Sequence, residues 1–235
     1  FLPGICKGEL SFCIGMSEPD SGSDLASIRS TAVRADGGWL LNGRKIWTTS
    51  AHEHDWIIVL CRTTPLDQAP DRRNGMSQLI VDLRSAGVTA TPIPFIDGSA
   101  DFCEVLFDDV FVPDDLVLGE IGHGWAQNTS ELAYERGGPD RWLSTYTLVE
   151  ELVRAQHATS PDDDLRDLLG RCVANYWVLH HLSLSVARSI DQGGAPAVES
   201  ALVKEMGTRF EQDVVADVLG YLDTMPLLDT AEPFQ

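Results

Sequence analysis

The sequence has few basic residues: 17 Lys and Arg stand against 36 Asp and Glu, and the formal net charge is −19. Nucleic acids and anionic membrane surfaces are bound through basic faces, so this balance argues against both as partners. A small anionic ligand remains compatible with the composition, because a few local arginines and backbone N–H groups are enough to hold its phosphates.

Long apolar runs and closely paired cysteines are also missing. The longest apolar run, residues 56–61, is far too short to span a bilayer, and the first residues do not resemble a signal peptide. With no Cys-x-x-Cys spacing, no metal site is predicted, and we expect free, mostly buried thiols in a reducing cytoplasm. The five cysteines are Cys6, Cys13, Cys61, Cys103 and Cys172.

A change of hydrophobic period divides the chain, whose 235 residues are enough to bury a sizeable core. As far as Val112, short runs rich in Val, Ile, Phe and Trp alternate with Gly, Pro, Asn and Asp, as strands and tight turns do. Asp36-Gly37-Gly38 and Asn42-Gly43 are predicted to form tight turns on either side of a short strand, residues 39–41. Further strands are predicted over residues 55–63, 76–83, 87–92 and 102–112.

Beyond the Gly119–Gly124 turn the apolar spacing becomes helical. Helices are predicted over residues 125–156, with a bend at Gly137-Gly138-Pro139, and over 165–192 and 197–222. The predicted fold class is therefore α+β, with an antiparallel, barrel-like β domain over residues 1–118 followed by an α-helical bundle over 119–235. Because the chain opens on Phe1 rather than Met, we expect the native product to extend upstream.

Two polar segments, residues 17–24 (SEPDSGSD) and 42–49 (NGRKIWTT), contain the residue types that a flavin site needs. A flavin requires donors near its N5 and O4 edge, an aromatic wall, and backbone that can approach closely. Gly22 permits that approach, Ser17 and Ser23 offer hydroxyls, and Trp47 precedes two threonines. Taken alone, the first segment is more typical of an ordinary turn, and the second of a packed aromatic beside strand-forming threonines. The two together carry the prediction.

Four motifs resemble those of the acyl-CoA dehydrogenase family, in order and at familiar spacings: residues 16–24 (MSEPDSGSD), 41–49 (LNGRKIWTT), 107–113 (FDDVFVP) and 119–125 (GEIGHGW). The resemblance covers about residues 4–222. It implies the family's middle β domain and part of its C-terminal four-helix domain, with the N-terminal helical domain preceding Phe1. It also implies FAD as cofactor, an acyl-CoA substrate and an electron-transferring flavoprotein as acceptor.

The resemblance assigns roles to individual residues. It implies that Met16 and Ser17 contact the flavin, that Trp47 flanks the isoalloxazine ring and that Thr49 hydrogen-bonds near N5. Ser23 would lie on the coenzyme A side, and Arg136 near the coenzyme A phosphates. An ion pair between Arg136 and Glu131 on the same helix face is the alternative for that arginine.

Removing the α-proton of an acyl thioester requires a carboxylate in a water-poor site. Glu135, within residues 134–139 (YERGGP), is the candidate base. The resemblance here is to the isovaleryl-type and some sterol-degrading members, whose base lies on this helix. A solvated glutamate bonded to Arg136 is the alternative. Gly137 and Gly138 are expected to leave room for a branched or ring-bearing acyl group.

One departure from the family concerns oligomerisation. Members usually carry an Arg-x-x-Phe-Gly segment that holds the flavin pyrophosphate of a neighbouring subunit, whereas residues 158–164 here read ATSPDDD. Carboxylates beside a pyrophosphate disfavour its binding. Either the distal end of the flavin is held differently, or this subunit works with a different partner chain. Within the family's dimer-of-dimers arrangement, this favours a hetero-oligomer over a homo-oligomer. The predicted function is oxidation of an acyl-CoA to trans-2-enoyl-CoA. The alternatives are an oxygen-reacting relative (acyl-CoA oxidase or flavin monooxygenase) and a non-catalytic partner subunit.

Overall fold

The computed structural model of the chain describes residues 1–156 and 163–224. They form two compact units that divide within one helix, between Thr129 and Ser130. The first unit contains the whole β-sheet and the second is helical, which confirms the predicted α+β class. The sequence-based boundary between residues 118 and 119 stays a prediction.

The first unit is built on an eight-stranded sheet. The strands are β1 (Phe12–Gly15), β2 (Thr31–Ala35), β3 (Gly38–Thr49), β4 (Trp56–Arg62), β5 (Met76–Asp82), β6 (Val88–Ile93), β7 (Phe102–Pro113) and β8 (Val117–Leu118). The sheet is not closed, and it is mixed, because β1 and β2 run parallel to β4 while the other pairs are antiparallel. The chain reaches β4 from β1 only after β2 and β3, and parallel neighbours need a long connection of this kind because a short hairpin cannot join them.

The predicted turn at Asn42-Gly43 is wrong, because both residues lie inside the 12-residue strand β3. They face a β-bulge in β7, where Asp109 has a φ of 48°. The Asn42 side chain holds that bulge: its Nδ2 donates to Asp109 Oδ1 at 2.8 Å, and its Oδ1 accepts from Asp109 N at 2.9 Å. Gly43 is needed because a Cβ there would lie 2.6 Å from Ser30 Cα. The other predicted turn is confirmed, since Gly37 connects β2 to β3.

A second bulge lies in β3 itself. Lys45 pairs with Val105 and Thr48 with Cys103, so three steps along β3 match two along β7. The extra residue allows Trp47 to adopt a φ of 59°. Lys45 and Thr48 are both buried, whereas Trp47 and Thr49 are exposed.

The helices are α1 (Leu2–Cys6), α2 (Gly124–Arg136), α3 (Tyr146–Gln156), α4 (Asp163–Asp191) and α5 (Ala197–Thr224). The long helix predicted over residues 125–156 is interrupted rather than bent. α2 ends before Gly137-Gly138, and a 3₁₀ turn follows at Pro139–Arg141, because glycine and proline are the poorest residues for continuing a helix. α4 and α5 follow the predicted bounds closely and enclose the apolar core of the second unit.

Over residues 1–156 and 163–224, no helix has both the length and the apolar character needed to cross a membrane. The same residues contain no cluster of His, Cys, Asp and Glu suited to a metal ion. The cysteines are free, Cys6 being exposed and the other four buried.

Candidate functional site

The outer face of β3 presents an aromatic ring and a hydroxyl side by side. Trp47 is 54% exposed, which is unusual for so large an apolar side chain. Its ring meets Phe102 edge-on, with centroids 6.3 Å apart. Thr49 is two residues further along and shares the outer face, because successive strand residues alternate between faces.

The first polar segment is fastened to this strand by its backbone. Ile46 N donates to Ser17 O at 2.9 Å, and Lys45 Nζ donates to Met16 O at 2.9 Å. Met16 and Ser17 are therefore held beside the strand residues that immediately precede Trp47. Four of the five residues predicted to touch the flavin are thus brought together.

The remaining residues of that segment lie beyond a closed turn. Glu18 and Ser21 exchange two backbone hydrogen bonds, each 3.0 Å long. Gly22 and Ser23 follow the turn and are exposed. A Cβ at Gly22 would have no heavy atom within 4 Å, so the space around this backbone is open, and its contact with a flavin stays a prediction.

A buried ion pair that the sequence analysis missed lies beneath the segment. Lys45 is 0% exposed and its Nζ lies 2.8 Å from Glu18 Oε1. The Glu18 carboxylate also accepts hydrogen bonds from Arg29 N at 2.6 Å and Ser30 N at 2.9 Å. Lys and Glu are almost never fully buried unless paired, so composition gave no reason to place them inside. The only sequence signal was their position within the two polar segments.

Burial and pairing act in opposite directions on these two groups. Burial opposes ionisation of Glu18, but the Lys45 ammonium and the backbone donors outweigh it and lower the pKa of that carboxyl. Burial lowers the pKa of Lys45, and the Glu18 carboxylate offsets part of that effect.

The outer face of β3 fits the flavin that the motifs imply. A planar ring system needs a flat apolar wall, and the Trp47 ring is exposed where the backbone itself is in a strained conformation. Within the described residues, the Thr49 hydroxyl makes no hydrogen bond and is free to donate to a ligand. Strained backbone persists only where the surroundings hold it, and it clusters at binding sites.

The candidate base and its neighbour lie at the end of α2, in the second unit. The Glu135 carboxylate is about half exposed and forms an ion pair with the Arg141 guanidinium, not with Arg136. Arg136 forms no ion pair with Glu131, the alternative weighed from the sequence, or with any other residue among those described.

A cavity of about 450 Å³ lies within the second unit, next to Glu135 in the chain. Its lining is mostly apolar and includes Tyr134, Gly137, Gly138, Trp142 and Leu184. A Cβ at Gly137 would lie 2.6 Å from Val186 Cγ1, so this glycine also allows α4 to approach closely.

Comparison with known proteins agrees with the motifs. Residues 13–110 match the family described as acyl-CoA dehydrogenase, middle domain. The chain belongs to the acyl-CoA dehydrogenase family. It is 37% identical over 212 residues to acyl-CoA dehydrogenase FadE34 of Mycobacterium tuberculosis, covering 90% of the chain and 29% of that protein.

Two solved structures resemble the whole fold. The Tcur3481-Tcur3483 steroid ACAD matches with a TM-score of 0.84 at 29% identity, over 99% of this chain and 60% of that one. The ChsE4-ChsE5 complex from Mycobacterium tuberculosis matches with a TM-score of 0.82 at 29% identity, over 99% of this chain and 61% of that one. The chain therefore spans between 29% and 61% of the length of these relatives.

The acidic segment that replaces the family's Arg-x-x-Phe-Gly lies mostly outside the described residues. Asp163 and Asp164 are described and form the first turn of α4, where Asp163 pairs with Arg166 at 3.1 Å. Acidic residues at a helix N-terminus stabilise the helix through its dipole.

Proposed function

We propose that this protein takes part in the FAD-dependent oxidation of an acyl-CoA thioester to trans-2-enoyl-CoA, with an electron-transferring flavoprotein as acceptor. The observation that carries the proposal is the outward Trp47 at the β3 bulge, beside the anchored Met16-Ser17 backbone. Family membership supports the same reaction class.

In this proposal, bound FAD supplies the hydride acceptor. The Trp47 ring forms one wall against it and excludes water from that face. The Thr49 hydroxyl donates a hydrogen bond to the ring edge, and a donor fixed in advance stabilises charge that develops there. Ser17 adds a second hydroxyl from the anchored segment.

Glu135 accepts the α-proton of the substrate at its carboxylate. The ion pair with the Arg141 guanidinium holds this carboxylate in place. Arg136, which is not engaged in an ion pair among the described residues, binds a coenzyme A phosphate, for which a guanidinium fork is well suited. Ser23 contacts the coenzyme A side of the substrate.

A bulky acyl group is the proposed substrate class. The cavity lined by Tyr134 and Gly137, neighbours of Glu135 in the chain, is apolar, and at about 450 Å³ it falls within the range of small-molecule sites. One of the structural relatives is described as a steroid ACAD, which supports a steroid or branched thioester over a short straight chain.

A second chain is part of the proposal. The ChsE4-ChsE5 structure is a complex of two proteins, and the acidic residues that open α4 here differ from the basic family segment. We therefore expect the active form to be a hetero-oligomer, in which a partner subunit supplies contacts to the flavin.

The experiment is an anaerobic titration of the purified, FAD-loaded protein with steroid, branched and short-chain acyl-CoAs, followed by flavin absorbance. Bleaching by the bulky thioesters is expected for the wild type. Glu135→Gln should abolish bleaching while FAD binding persists, and Glu131→Gln, one turn earlier on α2, is the matched control that should bleach normally. Equal bleaching by both variants would refute the role of Glu135.

Two other outcomes would select the alternative functions. Flavin that is reoxidised rapidly in air without an acceptor protein indicates the oxygen-reacting relative. FAD that binds only when a partner subunit is present, with normal bleaching by Glu135→Gln, indicates a non-catalytic subunit.

A further inference from the structure

The pair formed by Lys45 and Glu18 is a buried ion pair in the first unit that the proposed mechanism does not use. Glu18 lies in the polar segment and is 7% exposed, and Lys45 lies on β3 with no exposed surface. Burying two charges opposes folding unless their geometry and hydrogen bonds are good. The presence of such a pair therefore does not by itself indicate that it stabilises the fold. Its partners point to a different role.

In addition to their ion pair, the two side chains form hydrogen bonds with the backbone at Met16 and at the residues that lead into β2. Lys45 Nζ is shared between Glu18 Oε1 and the Met16 carbonyl, at 2.8 and 2.9 Å. Glu18 in turn accepts from Arg29 N and Ser30 N, at the entrance to β2. One ammonium and one carboxylate thus fix both ends of the segment, residues 16–30.

The same lysine stands at the start of the β3 bulge. Its ladder partner is Val105, and the next paired residue of β3 is Thr48, so Lys45 is the last regular position before Trp47. The neighbouring amide, Ile46 N, donates to Ser17 O at 2.9 Å. Because the Lys45 ammonium holds Met16 O from this position, it sets the distance between the Met16-Ser17 backbone and the outward Trp47 ring.

We propose that Lys45 and Glu18 are positioning residues, which hold the Met16-Ser17 backbone and the Trp47 bulge at the separation that a flavin ring requires. This inference rests on the proposed function. Neither residue touches the ligand; each acts through the backbone it fixes.

The test uses the double variant Lys45→Met/Glu18→Gln in the full chain. Lys45→Met alone would leave the Glu18 carboxylate buried without its partner, and that variant is expected to fold poorly. In the double variant neither side chain of the pair is charged, and the single amide oxygen introduced by Glu18→Gln can accept from the backbone N–H of residue 29 or of residue 30, but not at both carboxylate positions. The variant therefore loses the anchor on Met16 O and one of the two bonds to the residues that lead into β2. Val112→Ala, in the buried part of β7 opposite Trp39, is the control for a general loss of packing.

Two readouts separate positioning from stability. In the double variant, amide hydrogen exchange at Ile46 should become faster than in the wild type and in Val112→Ala, because its acceptor segment is released. The absorbance bands of bound FAD should shift, and kcat should fall about 100-fold with a much smaller change in KM, since misplacement by about 1 Å costs that much. Lys45→Gln combined with Glu18→Gln, which keeps a donor toward Met16 O, should recover part of the rate.

The outcomes are distinct. An unchanged exchange rate at Ile46 together with an unchanged flavin spectrum in the double variant would overturn the proposal. So would changes in exchange rate, flavin absorbance and kcat that are equally large in Val112→Ala. If wild-type protein binds no FAD, the proposed function fails, and the exchange rates still show whether the pair holds the segment.

Discussion

Because Trp47 has a positive φ, we expect glycine to be more stable than alanine at this position, the reverse of their usual order in a strand. In a strand, Gly is normally less stable than Ala by about 0.5–1 kcal/mol, because it loses more conformational freedom on folding. A residue with a Cβ in the left-handed region carries about 1–2 kcal/mol of steric cost, which Gly does not. At a φ of 59° we therefore expect Trp47→Gly to be more stable than Trp47→Ala by about 0.5–1 kcal/mol.

Trp39, on the same strand, is the matched control. It has the same side chain and is 8% exposed, but its φ is not positive. There Trp39→Ala should be more stable than Trp39→Gly by about 0.5–1 kcal/mol. Both variants at that buried site should also lose about 3–5 kcal/mol relative to wild type, which is the usual cost of deleting a buried aromatic side chain.

The measurement is denaturant unfolding of the four variants, followed by far-ultraviolet circular dichroism so that the loss of a tryptophan does not change the signal. Comparing Ala with Gly at one position cancels the contribution of the lost ring. If Ala is the more stable residue at both positions, the bulge conformation of Trp47 is not strained and the reasoning fails.

Three further predictions concern packing, protonation and thiol reactivity. Gly137→Ala should destabilise the helical unit by about 1–3 kcal/mol, because its Cβ would lie 2.6 Å from Val186 Cγ1, and thermal unfolding should show it; an unchanged midpoint would contradict that close contact. The lowered pKa of Glu18 stabilises the fold above its ordinary pKa of 4.5, and this contribution is lost as the pH falls below that value toward the folded pKa. Acid titration of the double variant Lys45→Met/Glu18→Gln should therefore show a shallower loss of stability below pH 4.5 than wild type, and identical curves would refute the coupling. Burial raises the pKa of Cys13 and Cys61 to about 12, so Ellman's reagent at about pH 8 should label only the exposed Cys6 quickly in the native protein. Rapid labelling of more than one thiol would contradict this.

Periodicity and turn chemistry were enough to predict most of the fold. The helix predicted over residues 165–192 is α4, Asp163–Asp191, because acidic capping residues and a terminal glycine pair mark its ends in the sequence. The Asn42-Gly43 prediction failed because glycine at positive φ serves bulges as well as turns, and only the pairing with β7 distinguishes them. Local sequence does not encode that pairing.

The candidate site was predictable as a set of residues but not as a geometry. The motifs brought out Ser17 and Trp47, and the structure joins them through the amide of Ile46. The buried Lys45 was not predictable, because a lysine in a polar segment is ordinarily solvated. The partner of Glu135 was also missed: it is Arg141, which lies beyond the helix end, where helical spacing gives no guidance.

The two bulges in the β3–β7 ladder have a consequence for how these strands can change in length. One extra residue lies in each strand, and the ladder is in the same register at its two ends, Gly38 with Pro113 and Thr49 with Phe102. A deletion at Trp47 or at Asp109 alone would leave the strands unequal and force one end of the ladder to slip by a residue, which turns side chains to the opposite face. Insertions and deletions here should therefore be tolerated only in compensating pairs, one on each strand.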